Sequence, residues 1–209
     1  MFNFLKSILK SQKNYLEEID SMKKYLIIGL GNIGPEYAQT RHNIGFKIVD
    51  AFAQKENLSF ETAKLGDITT FKIKGRSVLF LKPSTYMNLS GKALHYWMEK
   101  ENIPLENILV VTDDINLDFG VIRVKTKGSN GGHNGLKDIQ NTLNSANYNR
   151  FRFGVGANFG KGKQVDYVLG KWNEDEKTAL VERLEKSTEL IKRFVLSGIT
   201  TTMNEFNGI

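Results

Sequence analysis

The chain has no cysteine among its 209 residues, which excludes disulfides, thiol nucleophiles and thiolate metal sites together and accords with a reducing compartment. Histidine is scarce too: three residues, His42, His95 and His133, leave little room for metal chemistry. Neither a GxSxG elbow nor an HExxH helix occurs, so the commonest serine and zinc hydrolase arrangements are missing. No apolar run approaches the length that crosses a bilayer, and there is no internal repeat, heptad array or low-complexity tract. What remains has the size of one ordinary domain, large enough to bury a core without staples. Its one bias is basic: 29 Lys and Arg against 23 acids, a net +6, tilts the odds toward a polyanionic partner, although such a balance is common among small cytosolic proteins.

Residues 1–21 read differently from the rest. Phe2, Phe4, Leu5, Ile8, Leu9, Leu16 and Ile19 stand among Lys6, Lys10 and Lys13 in the manner of an amphipathic helix. Lys6 interrupts the apolar part too early for a secretory segment, no small-residue cleavage site follows, and the arginine usual in mitochondrial presequences is missing. We read them as a peripheral extension, or as the product of an upstream start codon with Met22 the functional start. Residues 22–209 then form the domain, and a cytoplasmic location is expected.

Along that domain strands alternate with helices. Lys24 to Leu30 is a buried strand, an apolar run closed by glycine. Ile44, Ile48, Val49 and Phe52 recur at helical spacing, which predicts a helix over Asn43 to about Lys55 with Asn43 as its N-cap. Residues 68–74 and 77–82 are two strands joined at Lys74-Gly75-Arg76 in a hairpin. A helix follows to about Glu101, marked by Leu89, Ala93, Leu94, Trp97 and Met98. Asn107 to Thr112 is the second central strand and runs directly into Asp113-Asp114. Gly120 to Lys125 alternates as a strand. After the glycine-rich loop from Lys127 to Gly135 come a helix through Leu136, Ile139 and Leu143, a strand over Arg150 to Gly156, an exposed basic loop at Lys161-Gly162-Lys163, and a long C-terminal helix from Glu174 to Leu196. The alternation predicts an α/β fold: a single domain with a mixed, twisted central sheet flanked by helices.

Gly29-x-Gly31-x-x-Gly34 matches the dinucleotide fingerprint, but such a loop must run from its last glycine into a helix whose N-terminus holds the pyrophosphate. Here Pro35 to Asn43 shows no apolar period and the helix begins only at Ile44, which places Asp50, the one acid at a suitable distance, inside that helix. The glycines instead let the backbone turn tightly beneath a substrate.

The polar residues at these breaks are modest. His42 can serve as a general base near neutral pH if a carboxylate orients its ring, and Asp113, ending a central strand, is the best-placed partner. Such a pair without a nucleophile suggests activation of water. Asp113 could equally cap, or share a metal with Asp114, and His95 is expected to be a packing or surface residue. Asn32, Asn88 and Asn134 can bind carbonyls or a developing oxyanion without titrating; on position alone, Asn88 and Asn134 read better as N-caps of the helices that follow them. Arg123, Lys125, Lys127, Arg150, Arg152, Lys161 and Lys163 are either a solvated face or a phosphate-binding surface beside a glycine-rich helix start.

Five ordered blocks give these residues a common meaning: Gly29-Leu30-Gly31-Asn32 with Gly34; Glu36-Tyr37; Thr40-Arg41-His42-Asn43 with Gly45; Pro83-x-Thr85-Tyr86-Met87-Asn88-Leu89-Ser90-Gly91; and Gly131-Gly132-His133-Asn134-Gly135-Leu136-Lys137-Asp138. Together they resemble the bacterial-type peptidyl-tRNA hydrolases, from about Lys23 to the C-terminal helix. The resemblance implies hydrolysis of the ester joining a peptide to the 3′ ribose of tRNA, which returns tRNA to translation, by a monomer that needs no metal and no cofactor. By matching, His42 activates water, Asp113 orients it, and Asn32 helps polarise the ester carbonyl. Asn88 and Asn134, with Tyr37 and Met87 nearby, would hold the peptide and the 3′ end, and Lys125 and Arg152 would bind acceptor-stem phosphate. The chain departs from the family pattern at Thr112-Asp113-Asp114-Ile115-Asn116-Leu117-Asp118, where His-Asp-Glu-Leu-Asp-Leu-Pro is frequent, at Ala157 to Gly160, which lacks the usual proline, and at Ile33, where proline is usual. The competing reading is a non-catalytic RNA-binding protein of the same fold, like the organellar splicing factors the family resembles; Asn32, His42, Asp113 and Asn134 together favour the enzyme. Titration with a nicotinamide dinucleotide is expected to be flat, and measurable binding would restore the dinucleotide reading.

Overall fold

A computed structural model describes Asp20 and residues 22–208; the helix expected within residues 1–21 lies, apart from Asp20, outside the described residues. Seven strands form one sheet: β1 Lys24–Gly29, β2 Glu61–Ala63, β3 Gly66–Ile73, β4 Arg76–Pro83, β5 Ile108–Asp114, β6 Ile122–Lys127 and β7 Asn147–Gly154. Their spatial order is β2-β3-β4-β1-β5-β7-β6. The four central strands, β4, β1, β5 and β7, run parallel, while β3 and β6 pair antiparallel at the two sides. The mixed sheet expected from the sequence is therefore present. Lys74 and Gly75 both take positive φ, +45° and +75°, which closes the expected β3–β4 hairpin.

Helices cover both faces: α1 Ile44–Lys55, α2 Ser90–Glu101, α3 Asn134–Leu143, the short α4 Gln164–Val168 and the long α5 Glu174–Phe206. On β1 successive side chains point to opposite faces, so Ile27 joins Ile48, Phe52, Leu190 and Phe194 beneath α1 and α5. Leu26 and Ile28 join Leu94, Trp97, Leu136 and Ile139 beneath α2 and α3. A strand buried on both faces must be apolar throughout, and this is why Lys24 to Leu30 reads as a continuous run. The C-terminal helix reaches ten residues beyond the expected Leu196, through a kink at Gly198 (φ +78°, ψ 174°). No helix among the described residues is long and apolar enough to cross a membrane.

Three expectations for the helix starts fail. Asn43 precedes α1, but its side chain makes no capping bond to that helix. It is drawn away into a pair of bonds with the backbone of Asn32, a tertiary use that outcompetes local capping. Asn88 lies inside a 3-10 turn, Met87–Leu89, ahead of α2. Asn134 is the first residue of α3, and the cap there is the preceding residue, His133, whose ring accepts from the amides of Gly135 and Leu136.

Strand β1 and helix α1 meet backbone to backbone. A Cβ on Gly45 would stand 2.4 Å from Leu30 N and 2.6 Å from Val111 O, and one on Gly29 would stand 2.4 Å from Gly45 O. Glycine at both positions lets the helix start press against the carboxyl ends of β1 and β5. Gly45→Ala is therefore expected to cost about 2–3 kcal/mol by forcing these elements apart, seen by calorimetry as a fall of roughly 5–10 °C in Tm. A variant that melts with the parent would show that the contact is not tight.

Candidate active site

The carboxyl ends of the parallel strands deliver several of the residues singled out in the sequence. Asn32 follows β1, Met87 and Asn88 follow β4, Asp113 is on β5 and Arg152 on β7. Open α/β sheets place their sites in the crevice at this edge, where the connections leave in opposite directions. Here β1 leads to β4 on one side, while the β4–β5 connection crosses β1 to reach the other. A cavity of about 670 Å³ opens there, lined by Asn32, His42, Met87, Asn88, Asp113, Asn134, Lys125 and Arg152 among others. Of the residues to which the resemblance gave a site role, only Tyr37 is absent from this lining. Its carbonyl accepts from Thr40 N (3.0 Å) and Thr40 Oγ1 (2.8 Å), so Tyr37 shapes the turn ahead of His42. His95 is exposed on α2, away from the cavity.

Asp113 is the centre of the cluster. It is 4 % exposed and accepts from two imidazoles. His42 Nδ1 lies 3.0 Å from both carboxylate oxygens, and His133 Nε2 lies 2.9 Å from Oδ1. Because an ionised carboxylate only accepts, His42 carries its proton on Nδ1 and keeps the lone pair of Nε2 for other work. His133 takes the opposite tautomer, since its Nδ1 accepts from Gly135 N (3.1 Å) and Leu136 N (3.3 Å). Thr112 Oγ1, 2.8 Å from His133 Nε2, completes the network. Asp113 thus neither caps a helix nor stands alone.

Burial and charge oppose one another here. Burial disfavours a charged imidazole, but the charge and hydrogen bond of Asp113 outweigh it and hold His42 above the ordinary histidine value. Burial likewise disfavours the carboxylate, yet the two facing imidazoles and the bonds they donate keep Asp113 well below the usual carboxylate range. His42, Asp113 and His133 are also the set of donors, among the described residues, able to hold one metal ion, with ligand atoms within 4.8 Å of each other. The hydrogen bonds described above put protons, at ordinary bonding distances, between those same atoms.

The amides are held with similar economy. Asn43 Oδ1 accepts from Asn32 N and Asn43 Nδ2 donates to Asn32 O, both at 2.9 Å, which fixes the backbone of Asn32. The Asn32 carbonyl Oδ1 accepts from Met87 N at 2.9 Å, and this sets its amide so that Nδ2 is left as a donor. Asp138 on α3 accepts from Gly91 N at the start of α2 (2.7 Å), joining the helices that carry Asn134 and follow Asn88. Asn88 and Asn134 are both exposed at the cavity.

Arg41, next to His42, anchors that segment. Its buried guanidinium donates to Lys171 O (2.9 Å) and to Glu176 Oε2 (2.7 Å) and lies over the rings of Tyr167 (4.4 Å) and Trp172 (5.4 Å). Glu176 belongs to the capping box with Asn173 that starts α5. Arg41, Thr112 and His133 carried no role in the sequence reading, and Asn43 was expected only as the N-cap of α1. The available signal for His133 was a scarce residue type set among glycines at a helix start; Arg41 is addressed to partners more than 120 residues away and gave none.

On the far wall, Lys125, Lys127, Arg150 and Arg152 line the cavity. Arg150 is buried, with its guanidinium given to Ser129 O (3.0 Å) and Ala146 O, so it braces the glycine-rich loop. Arg152 is ion-paired with Asp114. Lys163 pairs with Asp166 (3.1 Å), outside the cavity lining. The basic cluster therefore divides into bracing and exposed members.

A family model described as peptidyl-tRNA hydrolase matches residues 26–209. The peptidyl-tRNA hydrolase of Bacteroides fragilis is 56 % identical over 184 residues, covering 88 % of this chain and 98 % of that protein. That of Clostridium botulinum is 44 % identical over 186 residues, covering 88 % and 97 %. The crystal structure of peptidyl-tRNA hydrolase from Acinetobacter baumannii superposes with a TM-score of 0.82 at 36 % identity, covering 90 % of this chain and 95 % of that one.

By NMR the His42 imidazole is expected to titrate above pH 6.5, its ordinary value. Asp113→Asn removes the charge that opposes burial and should move the titration down. An unshifted titration in that variant would undo the assignment of Asp113 as its partner.

Proposed function

The chain belongs to the peptidyl-tRNA hydrolase family, and we propose that His42, Asp113 and Asn32 carry out the hydrolysis of peptidyl-tRNA at the cavity they line. The observation that carries this reading is the pairing of His42 Nδ1 with the buried Asp113, which leaves His42 Nε2 without a protein partner among the described residues. Nε2 takes a proton from water as the water oxygen bonds to the ester carbonyl carbon. Negative charge then develops on the carbonyl oxygen, where Asn32 Nδ2 donates to it; a preset donor of this kind is worth about 10²–10³ in rate. The intermediate collapses, the bond to the ribose 3′ oxygen breaks, and the imidazolium returns its proton to that oxygen. Asp113 stabilises the imidazolium throughout and fixes the tautomer that makes Nε2 the base.

Asn88, Asn134 and Met87 line the part of the cavity where peptide and 3′ end would lie, and Lys125 and Arg152 the part that would meet acceptor-stem phosphate. Tyr37 acts on this substrate through the turn that presents His42. The enzyme would work as a monomer in the cytoplasm, where peptidyl-tRNA arises. Because the base must be neutral and His42 lies above its ordinary value, kcat/KM should rise with pH along a limb centred above 6.5.

Purified protein is expected to release tRNA from an N-blocked aminoacyl-tRNA at the same rate with and without a chelator. His42→Ala should lose about 10²–10⁴ of turnover and still bind tRNA. A parent that binds tRNA but releases none would turn the reading to RNA binding alone, and full turnover in His42→Ala would remove His42 as the base.

A further inference from the structure

The wall that faces phosphate contains an acid. Asp114 ends β5, its side chain is 7 % exposed, and its Oδ2 is ion-paired with the guanidinium of Arg152. Its Oδ1 accepts from Asn116 N (2.8 Å) and Asn116 Nδ2 (3.3 Å), so a local turn holds the carboxylate in place. Arg152 itself is 21 % exposed and reaches the cavity. Among the cations of that lining, Arg150 is already committed to carbonyls, while Lys125 and Lys127 have no carboxylate or carbonyl partner among the described residues. Arg152 stands between these two conditions, paired but accessible.

Resting on the reading of this cavity as a tRNA site, we propose that Asp114 competes with tRNA phosphate for Arg152 and thereby limits how tightly the basic wall holds tRNA. A guanidinium has enough donors to meet two oxyanions, but a phosphate that reaches Arg152 comes to rest beside a carboxylate that cannot move away. Like charges at that range oppose one another, and burial of Asp114 weakens screening by solvent. The phosphate contact on Arg152 is therefore discounted relative to the one on Lys125.

The chemistry gives the discount a use. Hydrolysis removes the peptide and leaves every phosphate of the tRNA unchanged, so contacts to phosphate hold substrate and product alike and cannot by themselves speed the chemical step. Tighter phosphate binding slows the departure of free tRNA. An acid that tempers one such contact keeps the enzyme turning over, while selection of the ester is left to the peptide side of the cavity and to Asn32.

The test is the affinity for deacylated tRNA across a salt series, measured by fluorescence anisotropy with full-length protein. Asp114→Asn keeps an acceptor for Asn116 and removes the charge. It is expected to tighten binding about threefold to tenfold and to steepen the slope of log affinity against log salt by about 0.7–0.9, one phosphate contact's worth. In an Arg152→Gln background the same change should leave the slope where Arg152→Gln put it, a coupling that a merely structural role for Asp114 would not produce. As a measurement independent of Asp114→Asn folding, Arg152→Gln should flatten the slope by less than half as much as Lys125→Gln. Equal or weaker binding by folded Asp114→Asn, or equal flattening by Arg152→Gln and Lys125→Gln, overturns the competition. In either case a parent that still releases tRNA from blocked aminoacyl-tRNA leaves the functional reading standing, whereas a parent that neither binds nor hydrolyses rejects that reading instead.

Discussion

A carboxylate buried at the end of a central strand is the constraint from which the site follows. Burying an ionised group costs several kcal/mol unless donors meet it, and Asp113 meets its donors in two imidazoles that arrive from loops ninety residues apart in the chain. Satisfying Asp113 fixes the tautomer of both rings and therefore decides which nitrogen of His42 faces the cavity. It also requires the turn after β1 and the loop before α3 to converge on one point. Both are glycine-rich, and Gly131 and Gly132 adopt positive φ, +59° and +83°, as the second loop folds back toward β5.

The remainder of the fold holds these loops still. Arg41 ties the His42 segment to the start of α5 by hydrogen bonds and ring stacking, and Asn43 ties it to Asn32. Gln140 on α3 donates to Gly128 O (2.9 Å) and accepts from Asn130 (3.1 Å), holding the glycine-rich loop against its own helix. Asn43 stands at a helix start, where local capping is the ordinary use of its side chain. In this chain the tertiary partner wins for Asn43, because two bonds to the backbone of Asn32 outweigh a single cap. Such a site is built from pairs of fixed dipoles, and fixed dipoles stabilise developing charge without reorganising.

Charge is distributed with the same selectivity. The net +6 of the chain does not become a uniform basic face. Arg41 and Arg150 are buried and committed to the protein's own carbonyls and, for Arg41, to Glu176; Arg152 is shared with Asp114, and among the cations that line the cavity the lysines of β6 are the ones left toward solvent. Guanidinium serves the internal work because its planar fork meets several acceptors at once, while lysine ammonium remains hydrated and available.

Much of this was legible in the residues themselves. Apolar runs of the right length and period fixed the central strands and the helices, since hydrophobic patterning reports which faces are buried whatever the partners. The missing helix after Gly34 sufficed to reject a dinucleotide loop, and α1 does begin at Ile44. The ordered blocks carried the family, and with it the reading of His42 and Asn32, while Asp113 stood out as the acid that ends a central strand. Other features belong to the tertiary structure alone: the second imidazole on Asp113, the use of Asn43 and His133, the anchoring of Arg41, and the pairing of Arg152 with Asp114. Local sequence sets propensity and periodicity, but a polar side chain takes whichever partner the folded chain brings within about 3 Å, and for these residues that partner lies on another element.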